Sequence, residues 1–110
     1  MQEQNKGPGG DAICSQYAND PDMVEIVELF VRELPKRLCS LREAFEQDNH
    51  DSLRTLSHQL KGSAPGYGFP SIGRLAGRLE ATLREPDASQ DAVRGQLEDL
   101  IALCERARVS

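Results

Sequence analysis

The chain has 110 residues, room for one domain and too few for two of ordinary size. Thirteen basic and 18 acidic residues leave a net charge of −5 with no basic stripe, which argues against nucleic acid as a partner. Apolar residues make up 38% and aromatics only 5%, so any core is aliphatic, a composition that suits packed helices better than a β-sandwich.

No stretch approaches the roughly 18 consecutive apolar residues that span a bilayer, and the N-terminus lacks the apolar segment of a signal peptide. A cytoplasmic location without membrane association is the expectation. Cys14, Cys39 and Cys104 are odd in number and widely spaced, with no CxxC pair, so no metal site is expected. Cys104 falls on an apolar stripe and reads as a small core residue.

Residues 1–12 read as a tail, broken by Gly7-Pro8-Gly9-Gly10, and residues 13–110 as the folded domain. Ile13 and Tyr17 suggest one or two helical turns capping the bundle. Asp20 then reads as an N-cap with Pro21 in the first helical position. Met23, Ile26, Val27, Phe30 and Leu34 form a one-sided stripe that continues in phase through Leu38, Leu41 and Phe45. Because Pro35 interrupts it, the expectation is one helix kinked there, or two helices joined nearly end to end.

Asn49 or Asp51 caps a second helix carrying Leu53, Leu56, Leu60 and Ala64, which ends at Pro65-Gly66-Tyr67-Gly68. Ile72, Leu75, Ala76, Leu79 and Leu83 mark a third helix. After Glu85-Pro86-Asp87, with Asp87 or Ser89 as cap, a fourth buries Val93, Leu97, Leu100, Ile101 and Cys104. No segment alternates with period two, so no strand is expected. The fold class is all-α: an up-down-up-down antiparallel four-helix bundle with an additional or kinked N-terminal helix.

His58 stands on the second helix, on the side away from its apolar face at about 100° per residue. Lys61 lies to one side of it and Gly62 to the other. A mid-helix glycine costs about 1 kcal/mol relative to alanine, which invites a reason beyond folding. One requirement explains all three residues. A phosphorylated imidazole bears about two negative charges that an ammonium stabilises, and an approaching active site needs the space a side chain at position 62 would fill. His50 lacks these offsets and reads as a capping or solvent-facing residue.

His58-x-x-Lys61-Gly62-x-Ala64, followed by Gly68, resembles the phosphoacceptor motif of histidine-containing phosphotransfer (HPt) domains. Phe30 to Leu41, with Leu34-Pro35 inside it, is similar to the helix preceding the histidine in that family, and Leu79-Glu80 to its following helix. The resemblance implies that His58 accepts a phosphoryl group from a receiver-domain aspartate and passes it to another receiver. It makes Lys61 the stabiliser of phosphohistidine and Gly62 the clearance for the partner, with Gly66 and Gly68 turning the chain out of the helix. The implied partners are receiver domains of response regulators and of hybrid sensor histidine kinases. No cofactor of its own is implied, since the receiver brings the acidic cluster and Mg²⁺. The chain has no GK[ST] phosphate loop, so it is not expected to act as a kinase by itself. A monomer is expected, because one helix face already serves for docking. Two other readings compete: an adaptor that docks receivers without relaying phosphate, and a plain helical scaffold in which His58 is incidental.

Overall fold

The computed structural model describes residues 11–110. Most of the segment read as a tail lies outside them. In chain order come β1 (Ile13–Cys14), α1 (Val24–Glu46), α2 (His50–Ser63), a 3-10 turn (Ala64–Tyr67), α3 (Pro70–Leu83), α4 (Gln90–Glu105) and β2 (Ala107–Arg108). Each helix packs beside the next in sequence, and α4 closes back against α1, so the four surround one core.

That core is aliphatic. Val27, Phe30, Leu34, Leu38 and Leu41 of α1 meet Leu53 and Leu60 of α2, Ile72, Ala76 and Leu79 of α3, and Val93, Leu97 and Leu100 of α4. Burying each such leucine contributes about 1.5–3 kcal/mol. Three aromatic rings close one end: Phe30 stacks on Tyr67 at 4.5 Å and lies 5.9 Å from Phe69. Cys104 is buried, and burial first, then the Glu105 charge, pushes its thiol up to about 12, as befits a core residue. Ile26 departs from the expected stripe. It is 46% exposed, with Leu29 beside it at 53%, because the apolar face of α1 narrows to Val27 and Phe30 near its start.

The helix ends follow local chemistry. The Asn49 side chain accepts from the Ser52 amide and Ser89 from the Ala92 amide, each cap contributing about 1 kcal/mol. Asp48 takes a left-handed φ of 56°, letting the Asn49 amide donate back to the Ala44 carbonyl and stop α1 sharply. One expectation for α1 is corrected. It begins at Val24 rather than Pro21, because Asp20 is spent on a preceding turn: its side chain accepts from the Asp22 amide and its carbonyl from Met23 and Val24. Of the two arrangements expected at Pro35, a single helix is found, running through the proline, which lies on the exposed side of the bundle.

The absence of strands is likewise corrected. β1 and β2 form a two-stranded parallel pair, with Ile13 opposite Ala107 and Cys14 opposite Arg108. Elements of two residues show no periodicity; they exist because the two ends of the domain meet. Of the helical turns expected around Ile13 and Tyr17, Ile13 lies in the strand instead, while Tyr17 sits in hydrogen-bonded turns in which the Ala18 amide donates to the Ser15 carbonyl and the Asp20 amide to the Tyr17 carbonyl. Ser15, buried, donates its hydroxyl to the Tyr67 carbonyl and accepts from the Tyr17 amide, while the Gln16 amide donates to the Gly68 carbonyl. Residues 13–17 thus strap the turn that follows the histidine helix.

Gly68 is where the strap and that turn press together. Its φ is +89°, and a Cβ there would sit 2.3 Å from Ser15 Oγ and 2.6 Å from the Gln16 amide. Gly68→Ala should therefore lower stability by about 1–3 kcal/mol, measured as a fall in urea midpoint, through both strain and displacement of the strap. An unchanged midpoint would contradict this packing.

Candidate functional site

Three helices contribute to the site. The His58 side chain is 65% exposed on the outer face of α2, one turn before Lys61 and Gly62. Arg37 of α1 faces it across a shallow depression whose other walls are Gln59, Gly62 and Ser63. A Cβ built on Gly62 meets nothing within 4 Å, so the slot beside the histidine is open. His50, by contrast, sits at the start of α2 within 3.4 Å of Asp48 and away from this cluster.

The third contribution comes from α3 and was not assigned from the sequence. Glu80, with a side chain only 4% exposed, places Oε2 2.8 Å from His58 Nδ1. The same oxygen accepts from Arg84 Nη2 at 2.9 Å, and Oε1 lies 3.4 Å from Lys61 Nζ. One buried carboxylate therefore holds the histidine, the lysine and an arginine together. A signal for it exists in the sequence: at 100° per residue Glu80 falls about 40° from Ala76 and about 60° from Leu83, inside the apolar face of α3. A charge at that phase must be paired. Arg84, four residues on, is its partner on the same helix.

Close approach of α2 and α3 makes these distances possible. A Cβ on Gly73 would lie 2.6 Å from Pro65 Cγ, and one on Gly77 3.4 Å from Lys61 Cδ. Gly73 lets α3 approach the end of α2 closely, and the chain of Lys61 lies over Gly77 with its ammonium reaching Glu80. Gly66 has open space around it and no positive φ, so of the two glycines expected to turn the chain, only Gly68 does so by its backbone.

Burial by itself would push the Glu80 carboxyl up. The hydrogen bonds from Arg84, His58 and Lys61 outweigh it and hold the group below the usual carboxylate range. Glu80 is then ionised at neutral pH and can only accept hydrogen bonds. The facing His58 Nδ1 must carry a proton, which in the neutral ring leaves Nε2 with the lone pair. The site presents a nucleophilic nitrogen of fixed tautomer, cations within reach, and an unobstructed side for a partner.

The Hpt domain family profile matches residues 25–108. Two curated proteins, both named phosphorelay protein LuxU, from Vibrio vulnificus strains YJ016 and CMCP6, are each 28% identical over 81 residues. The match covers 74% of this chain and 66% of theirs, just under two thirds of the relatives' length. No solved structure gives a significant match.

Two consequences follow from the site as built. Because nothing fills the space at position 62, Gly62→Ala should leave stability unchanged or raise it by up to about 1 kcal/mol, read from thermal unfolding. A clear loss would mean the glycine serves the fold. Glu80 should also give an acid limb to stability. Its folded pKa lies below the ordinary value of 4.5, so its contribution is present above that value and disappears as pH falls through the folded one. Urea midpoints of the wild type and Glu80→Gln should differ at pH 7 and converge as the pH is lowered below about 4.5. A gap of constant size would exclude that linkage.

Proposed function

The chain belongs to the Hpt domain family, and on that premise we propose that His58 accepts a phosphoryl group from a receiver-domain aspartate and passes it to a second receiver. The observation that carries this reading is the exposed His58 ring, whose Nδ1 is bonded to a buried carboxylate while the slot at Gly62 stands open. The naming of two relatives as phosphorelay proteins supports it.

In this reading Nε2 of His58 is the nucleophile. Lys61 supplies a positive charge for the phosphoryl oxygens and Gly62 leaves room for the partner's active site. The protein is a phosphotransfer intermediate rather than an independent catalyst. Positioning and charge stabilisation dominate phosphoryl transfer, and the receiver contributes its acidic cluster and Mg²⁺. The partners are receiver domains of response regulators and hybrid sensor histidine kinases, met by a monomer in the cytoplasm. No described helix is long and apolar enough to cross a membrane.

The docking surface extends from His58 along α1. Ile26 lies about 20° off the Arg37 stripe, and with Leu29 it supplies exposed apolar surface on the arm next to the histidine helix. A footprint of about 800 Å² per partner spans His58, Gly62 and that patch.

Incubation with a panel of phosphorylated receivers tests the proposal. The wild type should acquire acid-labile, alkali-stable label, and His58→Gln none. Lys61→Ala should slow transfer about tenfold, the scale of one lost charge-assisted contact, and Gly62→Gln should slow it by obstruction. Ile26→Asp should weaken receiver docking without altering phosphorylation of His58 by a small phosphodonor. Docking without label would make the protein an adaptor; neither docking nor label would make it a scaffold.

A further inference from the structure

Three cations surround His58, and two of them are already engaged by Glu80: Lys61 Nζ lies 3.4 Å from Oε1 and Arg84 Nη2 2.9 Å from Oε2. Arg37 of α1 has no carboxylate partner among the described residues; its guanidinium lies 5.9 Å over the Phe30 ring. We infer that Arg37 is a second phosphoryl-holding residue, whose guanidinium binds the oxygens of the phosphoryl group carried on His58 Nε2. The inference rests on His58 being the phosphoacceptor, and it places that group over the depression beside Gly62 rather than against α3.

The orientation of the ring decides where the group goes. Nδ1 is bonded to Glu80 Oε2 at 2.8 Å, on the α3 side. The two ring nitrogens point in roughly opposite directions, so Nε2 is turned away from α3. On α2 itself Lys61 lies about 60° to the α3 side of His58, while Gly62, Gln59 and Ser63 lie about 40°, 100° and 140° to the other. Those three residues and Arg37 wall the depression that His58 borders. In the transfer step the Nε2 lone pair forms the N–P bond while the O–P bond of the receiver's acyl phosphate breaks, and the aspartate leaves with the electron pair as a carboxylate. The three phosphoryl oxygens then lie over the depression, on the Arg37 side of the ring.

Arg37 is placed and supported for that contact. It follows Phe30 by seven residues, two turns along the same face of α1, and Phe30 is 4% exposed and stacked on Tyr67 at 4.5 Å. A guanidinium resting on a ring keeps its N–H donors, which lie at its edge, free to meet two phosphoryl oxygens at once. Nothing fills the space at Gly62 between ring and cation. Ser63, another wall of the depression, has a buried hydroxyl with no hydrogen-bond partner, so a further polar group there stands unused. Lys61 contributes its charge from the Glu80 side and Arg37 from the opposite one, so the phosphoryl dianion is met by cations from two helices.

The test uses the full chain loaded with phosphoramidate, from which Nε2 displaces ammonia with no receiver docking involved. Arg37→Ala should load about fivefold more slowly than the wild type, the scale of one charge-assisted contact open to solvent, with Arg37→Lys in between. Arg32→Ala, which removes the same charge from an exposed position about 140° around α1, should load as the wild type does. In NMR spectra, loading should shift the Arg37 Nε–H resonance of the wild type, and the ³¹P resonance of phosphohistidine should differ between wild type and Arg37→Ala. Equal slowing by Arg32→Ala would reduce the effect to net charge, and an unmoved Arg37 resonance would exclude the contact. Either result overturns the proposal while leaving His58 as acceptor. If Arg37→Ala fails to fold, the wild-type resonance decides alone. Absence of phosphohistidine in the wild type treated with phosphoramidate would overturn both readings.

Discussion

A single buried carboxylate organises this protein's surface chemistry. Glu80 projects from the apolar face of α3, where an unpaired charge would be strongly destabilising, and three donors from two helices converge on it. The constraint acts in both directions. The donors keep the carboxylate ionised, and the carboxylate fixes the histidine tautomer, draws in the lysine and anchors the arginine. An otherwise mobile, exposed imidazole thereby acquires a defined orientation without being buried itself.

The glycines around this carboxylate have opposite physical reasons to be there. Gly73 and Gly77 lie between helices; a methyl group at Gly73 would press on Pro65, and one at Gly77 would meet the chain of Lys61 at ordinary contact distance. Gly73 permits the α2–α3 separation at which Glu80 reaches both His58 and Lys61. Gly62 borders open space, and its missing side chain benefits whatever approaches from outside. Internal contacts account for Gly73, whereas no internal contact accounts for Gly62.

The turn leaving the histidine helix is held from the other end of the chain. Ser15 and Gln16 bond the carbonyls of Tyr67 and Gly68, Phe30 stacks on Tyr67, and the β1–β2 pair ties the N-terminal strap to the segment after α4. Both ends of the domain thus brace one small region just beyond the site. Such bracing preforms the surface there, so that any docking on it would lose little ordering entropy.

By itself the sequence determined the helical class, the aliphatic core and the outward face of His58, because a 3.6-residue period in leucine spacing reports directly which side of a helix meets solvent. Lys61 and Gly62 beside the histidine were legible for the same reason: all are neighbours on one helix. Tertiary structure alone decided what joins across helices. Glu80 and Arg84 sit on α3, and the strand at Ile13–Cys14 depends on Ala107–Arg108 at the far end of the chain. Uninterrupted passage through Pro35 and the outward turn of Ile26 were likewise settled by packing, which outweighs local propensity at single positions. Periodicity encodes which face of a helix is buried, whereas the register between two helices is set by how closely their surfaces approach, and that depends on residues far apart in the chain.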